Sequence, residues 1–418
     1  MAATHQLIRC QPSNASIVRR TFDVLDQPEK RNTGYPLDSA YQPLVKKIYE
    51  SRYLALQDLR AYIERPEHHL TDITLSIAFL LMMAEIQHSA YGRWRSHLEG
   101  VRRIIKLRGG LHAVAQPSHP QTLSVVLNFI GVDIVSCITA ASAHLVPRSE
   151  EQTQHQEYIR QLLNDGSYLH TGFPGPLKIL EGLALVNHLR AVSSIQQNKE
   201  DSELDYRAFT ALQVIMSISP RLWAASICHR ISMGMGAFTK EHPKRDVSPN
   251  SSSTVICITY PQAVDNIEGH WVSVATLYQC ASLLYCIRTL FLDRHRSKQT
   301  NRFLAAVGID LLSLRQKTIN ALWEHLRLSL HREKYWRAGA LFTEYLIWPL
   351  LIVGLEDCGG DDRVGHREFV INALKQLSLC VGKLSWLDAE LFLKSAWEKP
   401  WQTWDDLFYG THGNCAFL

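Results

Sequence analysis

Apolar residues recur at helical spacing along most of this chain, and this period constrains the fold more than any other feature of the sequence. Alternation of apolar and polar residues, which is typical of strands, is confined to "TVICITY" at 254–260. The segment "AYQPLVKKIYESRYLALQDLRAYIE" shows the helical period through Leu44, Ile48, Leu54, Leu56, Leu59 and Ile63. The pattern predicts an all-α fold, a large multi-helix domain of roughly ten to fourteen helices.

Interruptions of the helical pattern set the predicted domain limits. Residues 1–36 are polar without a sustained period and are predicted to form a loose N-terminal lead-in. One helical domain is predicted over 37–410, with "EHPKRDVSPNSSST" at 241–254 as a disordered loop rich in Pro, Ser and Asn. Residues 411–418 are predicted to form a C-terminal tail. A chain of 418 residues is long enough to bury a substantial core.

Bulk composition narrows the class of protein. The formal net charge of +4 is only mildly basic, so it neither demands nor excludes nucleic acid as a partner. Nine cysteines are spread along the chain without a CxxC pair, which favours buried thiols over a metal site. The N-terminus lacks an apolar signal core, and the runs "IAFLLMMA" and "YLIWPLLIVGL" are too short to span a bilayer. We therefore expect an intracellular protein with no membrane partner.

The segment "WRSHLEGVRRIIKLRGGL" at 94–111 predicts an amphipathic helix. At about 100° per residue, Trp94, Leu98, Val101 and Ile105 fall within one narrow arc and are expected to face the core. Gly109-Gly110 follows the last apolar residues, where a left-handed glycine ends many helices. The segment is therefore expected to be a core helix with a glycine C-cap.

The basic side of this helix admits two interpretations, a DNA-recognition surface or a solvated and partly paired face. It carries Arg102 and Lys106 together with a predicted i, i+4 ladder of Arg95, Glu99 and Arg103. A helix-turn-helix needs a small, sharply turning helix just ahead, whereas the preceding segment "TDITLSIAFLLMMAEIQ" is apolar nearly all round. The solvated face is favoured, and we predict no nucleic-acid-binding residue in this chain.

Two motifs stand out in the sequence. The first comprises Ala55, Leu56, Leu59, Arg60, Glu85, Trp94, His97, Leu98, Gly100 and Gly109-Gly110. The second, "YLIWPLLIVGLEDC", is marked by Trp348, Pro349, Gly354 and Glu356. Together they resemble the fungal-specific transcription factor domain, the large helical region of fungal binuclear zinc cluster regulators, with Val101 where Ala is usual. The resemblance covers roughly residues 37 to 410 and implies a helical regulatory domain.

The signature residues are expected to act in the structure of the domain. Gly100 is expected to let a neighbouring helix approach closely, and Pro349 to kink the apolar helix around Trp348. His97 is interpreted as a hydrogen-bonded packing histidine beside the apolar stripe rather than a ligand. The full structural signature comprises Trp94, His97, Gly100, Gly109, Trp348, Pro349 and Gly354.

The sequence departs from the family pattern at its N-terminal end. Complete regulators of this family begin with six cysteines that hold two zinc ions and read DNA, whereas here only Cys10 precedes Cys137. The resemblance therefore implies the regulatory part of a transcription factor without its DNA-reading module. Either the protein is a regulator without a zinc cluster, or the gene model of a DNA-binding activator has lost an upstream exon.

Motifs for catalysis are absent from the sequence. It contains no HExxH, GxSxG, GxGxxG or Walker A pattern, and "DCGGDD" after an apolar helix is interpreted as a turn rather than an acidic metal site. We therefore assign no catalytic, cofactor-binding or metal-binding residue and expect no cofactor. The tail tryptophans Trp397, Trp401 and Trp404 indicate either a last helix packed on the bundle or an aromatic surface for a partner.

These observations lead to a predicted transcription regulator that is not an enzyme and is located in the nucleus by family resemblance, with the cytoplasm as the alternative location. It would act through an effector-sensing and protein-interaction domain and control metabolic or secondary-metabolite genes, as the resemblance implies. A protein partner or homodimer and a small-molecule effector are its expected interactions, with no direct DNA binding. The alternative from a different class is an all-α small-molecule-binding protein or enzyme derived from this domain.

Overall fold

A computed structural model describes most of the chain between Gln42 and Phe417. The described residues are 42–91, 93–115, 120–164, 173, 175–195, 202–239, 267–293, 304–305, 307–330, 345–356, 363–381, 383–408, 415 and 417. The predicted lead-in over 1–36, the predicted loop over 241–254 and the segment "TVICITY" lie outside the described residues.

The described part of the chain is built from helices and contains no strand, which confirms the all-α prediction. The helices are α1 (Gln42–Ile63), α2 (Asp72–His88), α3 (Trp94–Leu107), α4 (Leu111–Val114), α5 (Pro120–Ile138), α6 (Ser142–Leu145), α7 (Ser149–Asn164), α8 (Leu177–Ile195), α9 (Ser202–Met216), α10 (Pro220–Thr239), α11 (Ile267–Cys286), α12 (Leu311–Leu330), α13 (Ile347–Glu356), α14 (Arg363–Val381) and α15 (Ser385–Glu398). A π-helix, Ile287–Leu292, continues α11, and short 3-10 helices lie at Val146–Arg148 and Asp405–Leu407.

Local sequence signals explain where α2 begins and which side of it is buried. The hydroxyl of Thr71 accepts a hydrogen bond from the backbone N–H of Thr74 at 3.3 Å, so Thr71 is the N-cap of α2. Asp72 follows in the first turn, where a carboxylate interacts favourably with the helix dipole. The inward side of α2 is a buried row that includes Leu75, Met82 and Ile86.

Helix α8 lies at the centre of the domain. Nearly every residue from Leu177 to Ala191 is buried, because α5, α7, α9 and α11 all pack around it. Helix α11 is buried in the same way along its second half and also contacts α10, α12 and α13. Apart from a few buried polar side chains, these two helices have apolar residues on all sides, which is typical of helices surrounded by other helices.

The two ends of the described chain meet. Helix α15 contacts α2, and the backbone N–H of Leu384 donates to the carbonyl of Gln87 at 3.0 Å. The carboxylate of Asp388 in α15 accepts the backbone N–H of Ala90 at 2.7 Å, just after α2. Helix α15 is therefore fixed against the C-terminal end of α2.

Two helices are long and apolar enough to cross a bilayer by length and composition, although the apolar runs in the sequence were predicted to be too short. They are Gln121–Ile138 and Ile267–Leu292. In their most apolar parts, 78% and 83% of the helix is buried inside the protein. Their apolar surface is thus mostly occupied by contacts with other helices.

Residues beyond α15 belong to the core. Trp404 is 1% exposed and its indole N–H donates to the carbonyl of Ile138 at 2.7 Å. Cys415 and Phe417, which fall in the predicted tail, are also buried. The indole N–H of Trp397 donates to the carbonyl of Gly354 at 2.9 Å. Trp397 and Trp404 therefore pack against the bundle, which favours the first interpretation of the tail tryptophans.

Candidate functional site

Helix α3 has the buried face that its sequence predicts. Trp94, Leu98, Val101 and Ile105 are all buried, and the indole N–H of Trp94 donates to the carbonyl of Ala90 at 3.0 Å. The indole therefore loses no hydrogen bond when the ring leaves water. The apolar stripe holds α3 against the core and fixes which of its polar side chains face inward.

Glycines end α3 in a Schellman motif. The backbone N–H of Gly110 donates to the carbonyl of Ile105 at 2.9 Å, and that of Gly109 to the carbonyl of Lys106 at 3.1 Å. Gly109 and Gly110 have φ angles of 95° and 89°, which residues with a Cβ adopt only with strain. The structure therefore has the left-handed glycine C-cap that the sequence predicts.

The basic side of α3 is less solvated than predicted. Arg103 and Lys106 are exposed, but the side chain of Arg102 is 9% exposed and ion-pairs with Asp133 of α5. Arg102 also contacts Glu99 at 2.8 Å and Glu151 at 3.3 Å. Arg102 is paired, as the predicted partly paired face allows, but it is not solvated, because a neighbouring helix that a helical wheel does not show places a carboxylate beside it.

Two further basic residues of α3 are engaged within the protein. The Arg95 guanidinium lies over the ring of Trp94, 5.0 Å from its centroid, and burial lowers the pKa of Arg95 to about 10. The guanidinium of Arg108 contacts the Asp72 carboxylate at 2.6 Å. Glu99 pairs with Arg102 instead of joining the predicted ladder with Arg95 and Arg103.

Asp133 is a fully buried carboxylate in the middle of the apolar helix α5. Besides Arg102, its oxygens accept hydrogen bonds from Nε2 of His155 at 2.8 Å and from the amide of Gln152 at 3.3 Å. Burial by itself would raise the pKa of Asp133, but the hydrogen bond from His155 and the charge of Arg102 hold it well below its usual range. Asp133 is therefore an anion inside the core.

Polar contacts continue from α7 through α8 to α11. The amide of Asn187 donates to Oε1 of Gln152 at 3.1 Å and to the carbonyl of Ile134 at 3.0 Å. The hydroxyl of Tyr285 donates to Oδ1 of Asn187 at 2.7 Å, and Arg190 donates to that hydroxyl at 2.6 Å. Burial raises the pKa of Tyr285, so this phenol stays protonated and can donate to Asn187.

Arg190 closes the chain of contacts at the C-terminal segment. Its guanidinium donates to Oδ1 of Asp405 and to the carbonyl of Ala140, both at 2.8 Å. Asp405 also accepts the hydroxyl of Ser142 at 2.9 Å. Arg190 also donates to the carbonyl of Cys137 at 3.3 Å, and a cation beside the last carbonyls of α5 interacts favourably with the negative end of that helix.

These contacts form one continuous set of side chains, which we call the buried polar network. Its members are Arg102, Asp133, Gln152, His155, Asn187, Tyr285, Arg190 and Asp405. The network runs from α3 through α5, α7, α8 and α11 to the segment after α15. It contains two cation–carboxylate pairs in an otherwise apolar interior, where an unpaired charge is very costly.

The π-helix lies beside the C-terminal end of this network. Asp293, the residue after Ile287–Leu292, accepts the backbone N–H of Trp404 at 2.6 Å and contacts Arg288 at 2.8 Å. Burial raises the pKa of Asp293 to about 6, although the Trp404 N–H and Arg288 both favour its charged form. Single π-helical turns are often found at functional sites, which makes this junction the second part of the candidate site.

The second sequence signature forms helix α13. Trp348 is 1% exposed and its ring lies 5.3 Å from that of Tyr278. Pro349 lies in the first turn of α13, and the first backbone bond of this helix runs from Leu350 to Leu346 at 3.0 Å. The predicted kink around Trp348 is therefore replaced by a helix start, where a residue without an N–H is well tolerated.

The two signature glycines in helices differ in their surroundings. A Cβ on Gly354 would lie 2.9 Å from Cδ1 of Leu393, so the close approach of α15 to α13 depends on this glycine. A Cβ on Gly100 would meet nothing within 4 Å, so the close approach predicted there is wrong. A sequence shows that a helix contains a glycine but not which neighbour it faces.

The remaining signature residue, His97, lies half-buried beside the apolar stripe of α3. Burial lowers its pKa, while the nearby Glu85 carboxylate acts in the opposite direction. The imidazole is therefore neutral near pH 7. Its assignment as a hydrogen-bonded packing residue stays a prediction.

The ionisable groups of the network contact one another inside the core. His155 and Asp133, which form an acid–base contact, are both buried, and the Asp133 carboxylate also contacts Arg102. Among the residues that the structure describes, no group of three or more His, Cys, Asp or Glu side chains is arranged to hold a metal ion.

Sequence reasoning did not identify the network. Its only signal was a single charged or amide residue inside an apolar helix, as in "FIGVDIVSC" for Asp133 and "LVNHLRAV" for Asn187 and Arg190. Such residues are rarely buried without a partner, so they point to an internal partner somewhere else in the chain.

Comparisons with known proteins agree with this architecture. The family model described as fungal specific transcription factor domain matches residues 35–400. The chain is 24% identical over 368 residues to the phomenoic acid biosynthesis cluster-specific transcriptional regulator of Leptosphaeria maculans. The aligned part covers 87% of this chain and 59% of that relative, so the chain spans less than two thirds of the relative's length. No solved structure matches the chain.

The matched family region contains α1 to α15 and both signature motifs. It therefore includes every member of the buried polar network except Asp405. On this match, the chain belongs to the family of proteins with a fungal-specific transcription factor domain.

Proposed function

We propose that this protein regulates transcription in the nucleus and controls genes of a biosynthetic cluster. The observation that carries the proposal is the family match over residues 35–400 together with a relative that is a cluster-specific transcriptional regulator. The helical domain would serve as the part that responds to an effector or a protein partner. It would act by binding and conformational change rather than by catalysis.

The contacts of α3 support a role without direct DNA reading by this helix. DNA affinity depends on cations that neutralise phosphates, and base reading depends on side chains that reach the groove. Arg102 and Arg108 are instead engaged with Asp133 and Asp72 inside the protein. In the C-terminal half of α3, Arg103 and Lys106 are exposed and could contact phosphates. Two cations are too few to form a DNA-recognition surface.

The buried polar network supports a role in signal response. Each member of the network has a partner within it, although Nε of Arg102 and Nδ1 of His155 are buried without a hydrogen bond. Separating the paired charges would be costly, which favours discrete arrangements of the network. An effector or partner that favours one arrangement at the C-terminal segment would thereby change the position of α3. We propose that the network links these two places.

The proposed role without catalysis rests on how the ionisable groups are used. The His155–Asp133 contact is enclosed by Arg102 and Gln152, so a substrate would have to replace these partners to reach it. An enzyme derived from this domain would need an accessible acid–base pair. Conversion of a metabolite by the purified chain would favour that alternative.

Gene expression and DNA binding together test the proposal. Transcripts of the cluster genes are compared between a strain without this gene and strains complemented with the wild type or with Arg103→Ala/Lys106→Ala. We expect the deletion to change these transcripts and both complemented strains to restore them. Unchanged transcripts in the deletion strain would refute regulation of the cluster.

The binding arm uses the purified full chain and labelled promoter DNA at several salt concentrations. We expect weak binding without preference for sequence, lost as salt rises, because only nonspecific phosphate contacts are available. Sequence-specific nanomolar binding that Arg103→Ala/Lys106→Ala abolishes would show that α3 does read DNA.

A further inference from the structure

The segment that follows α15 packs on the bundle with almost no regular structure of its own. We call residues 401–408 the C-terminal strap; apart from one 3-10 turn, this strap contains no helix. The ring of Trp404 lies 5.3 Å from that of Tyr285 on α11, and the ring of Phe408 stacks on that of Phe392 on α15 at 5.5 Å. A segment with few backbone hydrogen bonds of its own depends on such contacts for its position.

The π-helix brings two side chains of opposite charge together beside the strap. The backbone N–H of Asp293 donates to the carbonyl of Arg288 at 2.9 Å, which is the five-residue bond of a π-turn. In an α-helix, residues five apart would point about 140° away from each other. In the wider turn, Nε of Arg288 contacts Oδ1 of Asp293 at 2.8 Å. The π-turn therefore makes one site from two residues that an α-helix would separate.

Both side chains of this site contact the strap. Arg288 donates to the carbonyl of Gln402, and its guanidinium lies over the ring of Trp401, 4.7 Å from the centroid. Asp293 accepts the backbone N–H of Trp404 at 2.6 Å. Arg288 and Asp293 thus hold the first half of the strap, and we call these two residues the latch.

The surroundings of the latch oppose the charge of its carboxylate. Burial raises the pKa of Asp293 to about 6, although the Trp404 N–H, Arg288 and Arg190 all favour the anion. Charged groups of the elements packed around Asp293, among the residues that the structure describes, are Arg288 on the π-helix, Arg190 on α8, Glu356 on α13, and Asp405 and Asp406 on the strap. When the strap leaves, water reaches the carboxyl and its pKa returns toward 3.8, so the closed strap favours the protonated carboxyl.

We propose that the C-terminal strap opens and closes on the π-turn, and that the closed strap keeps on Asp293 a proton that the open strap releases to water. Closing places Asp405 against Arg190 and completes the buried polar network, whereas opening removes that carboxylate. This inference rests on the proposed function, in which the network links this segment to α3. It identifies the part of the segment that moves and the group that controls it.

The sign of the pH dependence follows from the two protonation states. Rising pH favours the open strap, because the open state loses its proton at a lower pH than the closed state does. With a pKa of about 6 for Asp293 in the closed state and 3.8 in the open state, the equilibrium constant for opening should increase about tenfold between pH 5 and pH 7.

Hydrogen exchange of the full chain measures this opening directly. Backbone amides are labelled with deuterium at pH 5 and pH 7, with labelling times scaled to equal intrinsic exchange, and the peptide covering 401–408 is followed by mass spectrometry. We expect this peptide to exchange about tenfold faster at pH 7 than at pH 5 after this correction. A peptide from the buried part of α8 should exchange at least about tenfold more slowly than the strap at pH 7, because it opens only when the whole domain unfolds.

Three variants separate the latch from its surroundings. Asp293→Asn keeps an acceptor for the Trp404 N–H but cannot ionise, so its strap should exchange equally at both pH values and more slowly than the wild type at pH 7. Arg288→Ala removes the contacts with Gln402 and Trp401 and should speed exchange of the strap at both pH values. The control Glu398→Gln removes an exposed carboxylate just before the strap and should keep the pH dependence of the wild type.

Far-UV circular dichroism and thermal melting establish that each variant is folded; if Asp293→Asn is not, the wild type and Arg288→Ala decide. Exchange of the wild-type strap that does not change with pH would overturn the proposal, as would equal pH dependence in Asp293→Asn or equal exchange of the strap and α8. These measurements use purified protein and do not depend on gene expression. A strap that opens as expected, in a chain whose deletion leaves transcripts unchanged, would support this inference and refute the proposed function.

Discussion

Replacement of Asp405 by alanine should destabilise the protein strongly, although this residue lies after the last α-helix and outside the matched family region. Its partner Arg190 has a side chain that is 2% exposed and depends on Asp405 for its carboxylate contact at 2.8 Å. The substitution also removes the acceptor of the Ser142 hydroxyl. A buried charge that loses its partner costs about 3–5 kcal/mol, a large part of the roughly 5–15 kcal/mol that stabilises a typical protein.

The free energy of unfolding is measured from urea denaturation followed by tryptophan fluorescence and circular dichroism. Glu398→Ala, at the exposed end of α15, serves as the control and should change the free energy of unfolding by less than about 0.5 kcal/mol. Arg190→Met provides the second arm, because it removes the buried cation and keeps most of the volume.

In the Arg190→Met background, Asp405→Ala should cost much less than in the wild type, since no buried cation is left without a partner. Equal losses in both backgrounds would refute the reasoning, because the cost would then come from something other than the ion pair. A loss below about 0.5 kcal/mol in the wild type would refute it too.

Three further predictions concern α3, the π-helix junction and the signature glycines. Trp94→Ala should lower the free energy of unfolding by about 3–5 kcal/mol in urea denaturation, because it removes a fully buried ring, and an unchanged midpoint would contradict this. Burial raises the pKa of Asp293 from 3.8 to about 6, so folding favours the protonated form of this carboxyl. The free energy of unfolding of the wild type, relative to that of Asp293→Asn, should therefore be greatest below pH 4. It should fall by roughly 3 kcal/mol as pH rises past 6, where the folded protein has to hold the buried anion. A stability difference independent of pH would mean that Asp293 titrates normally. Gly354→Ala should lower the free energy of unfolding by about 1–3 kcal/mol because the new Cβ meets Leu393. Gly100→Ala should be neutral or stabilising by up to about 1 kcal/mol, because a Cβ there meets nothing within 4 Å. Thermal melting compares the two variants, and a greater loss of stability in Gly100→Ala than in Gly354→Ala would contradict the packing.

Local patterns in the sequence predicted local features of the structure. The stripe of Trp94, Leu98, Val101 and Ile105 was predictable because burial of one helix face imposes a period on the residues themselves. The left-handed cap at Gly109 was predictable because glycine adopts positive φ angles without strain. These features depend on neighbours within one or two helical turns.

Contacts between distant parts of the chain were not predictable in the same way. Arg190 and Asp405 are 215 residues apart, and nothing in either local segment identifies the other as a partner. The roles of Gly100 and Pro349 were mispredicted for a related reason, since they depend on which helix lies nearby and where a helix begins. A lone Asp or Arg in an apolar helix predicts that a partner exists but not where.

The central claim, that this chain regulates transcription without reading DNA through α3, is tested most directly by supplying the DNA contact artificially. The full chain is fused to an unrelated DNA-binding module, and transcription of a reporter with the matching operator is compared with that of the module alone at equal protein level. We predict that the fusion changes reporter transcription, that Arg103→Ala/Lys106→Ala has no effect on this change, and that a reporter without the operator does not respond. A fusion that leaves the reporter at the level of the module alone would contradict the account.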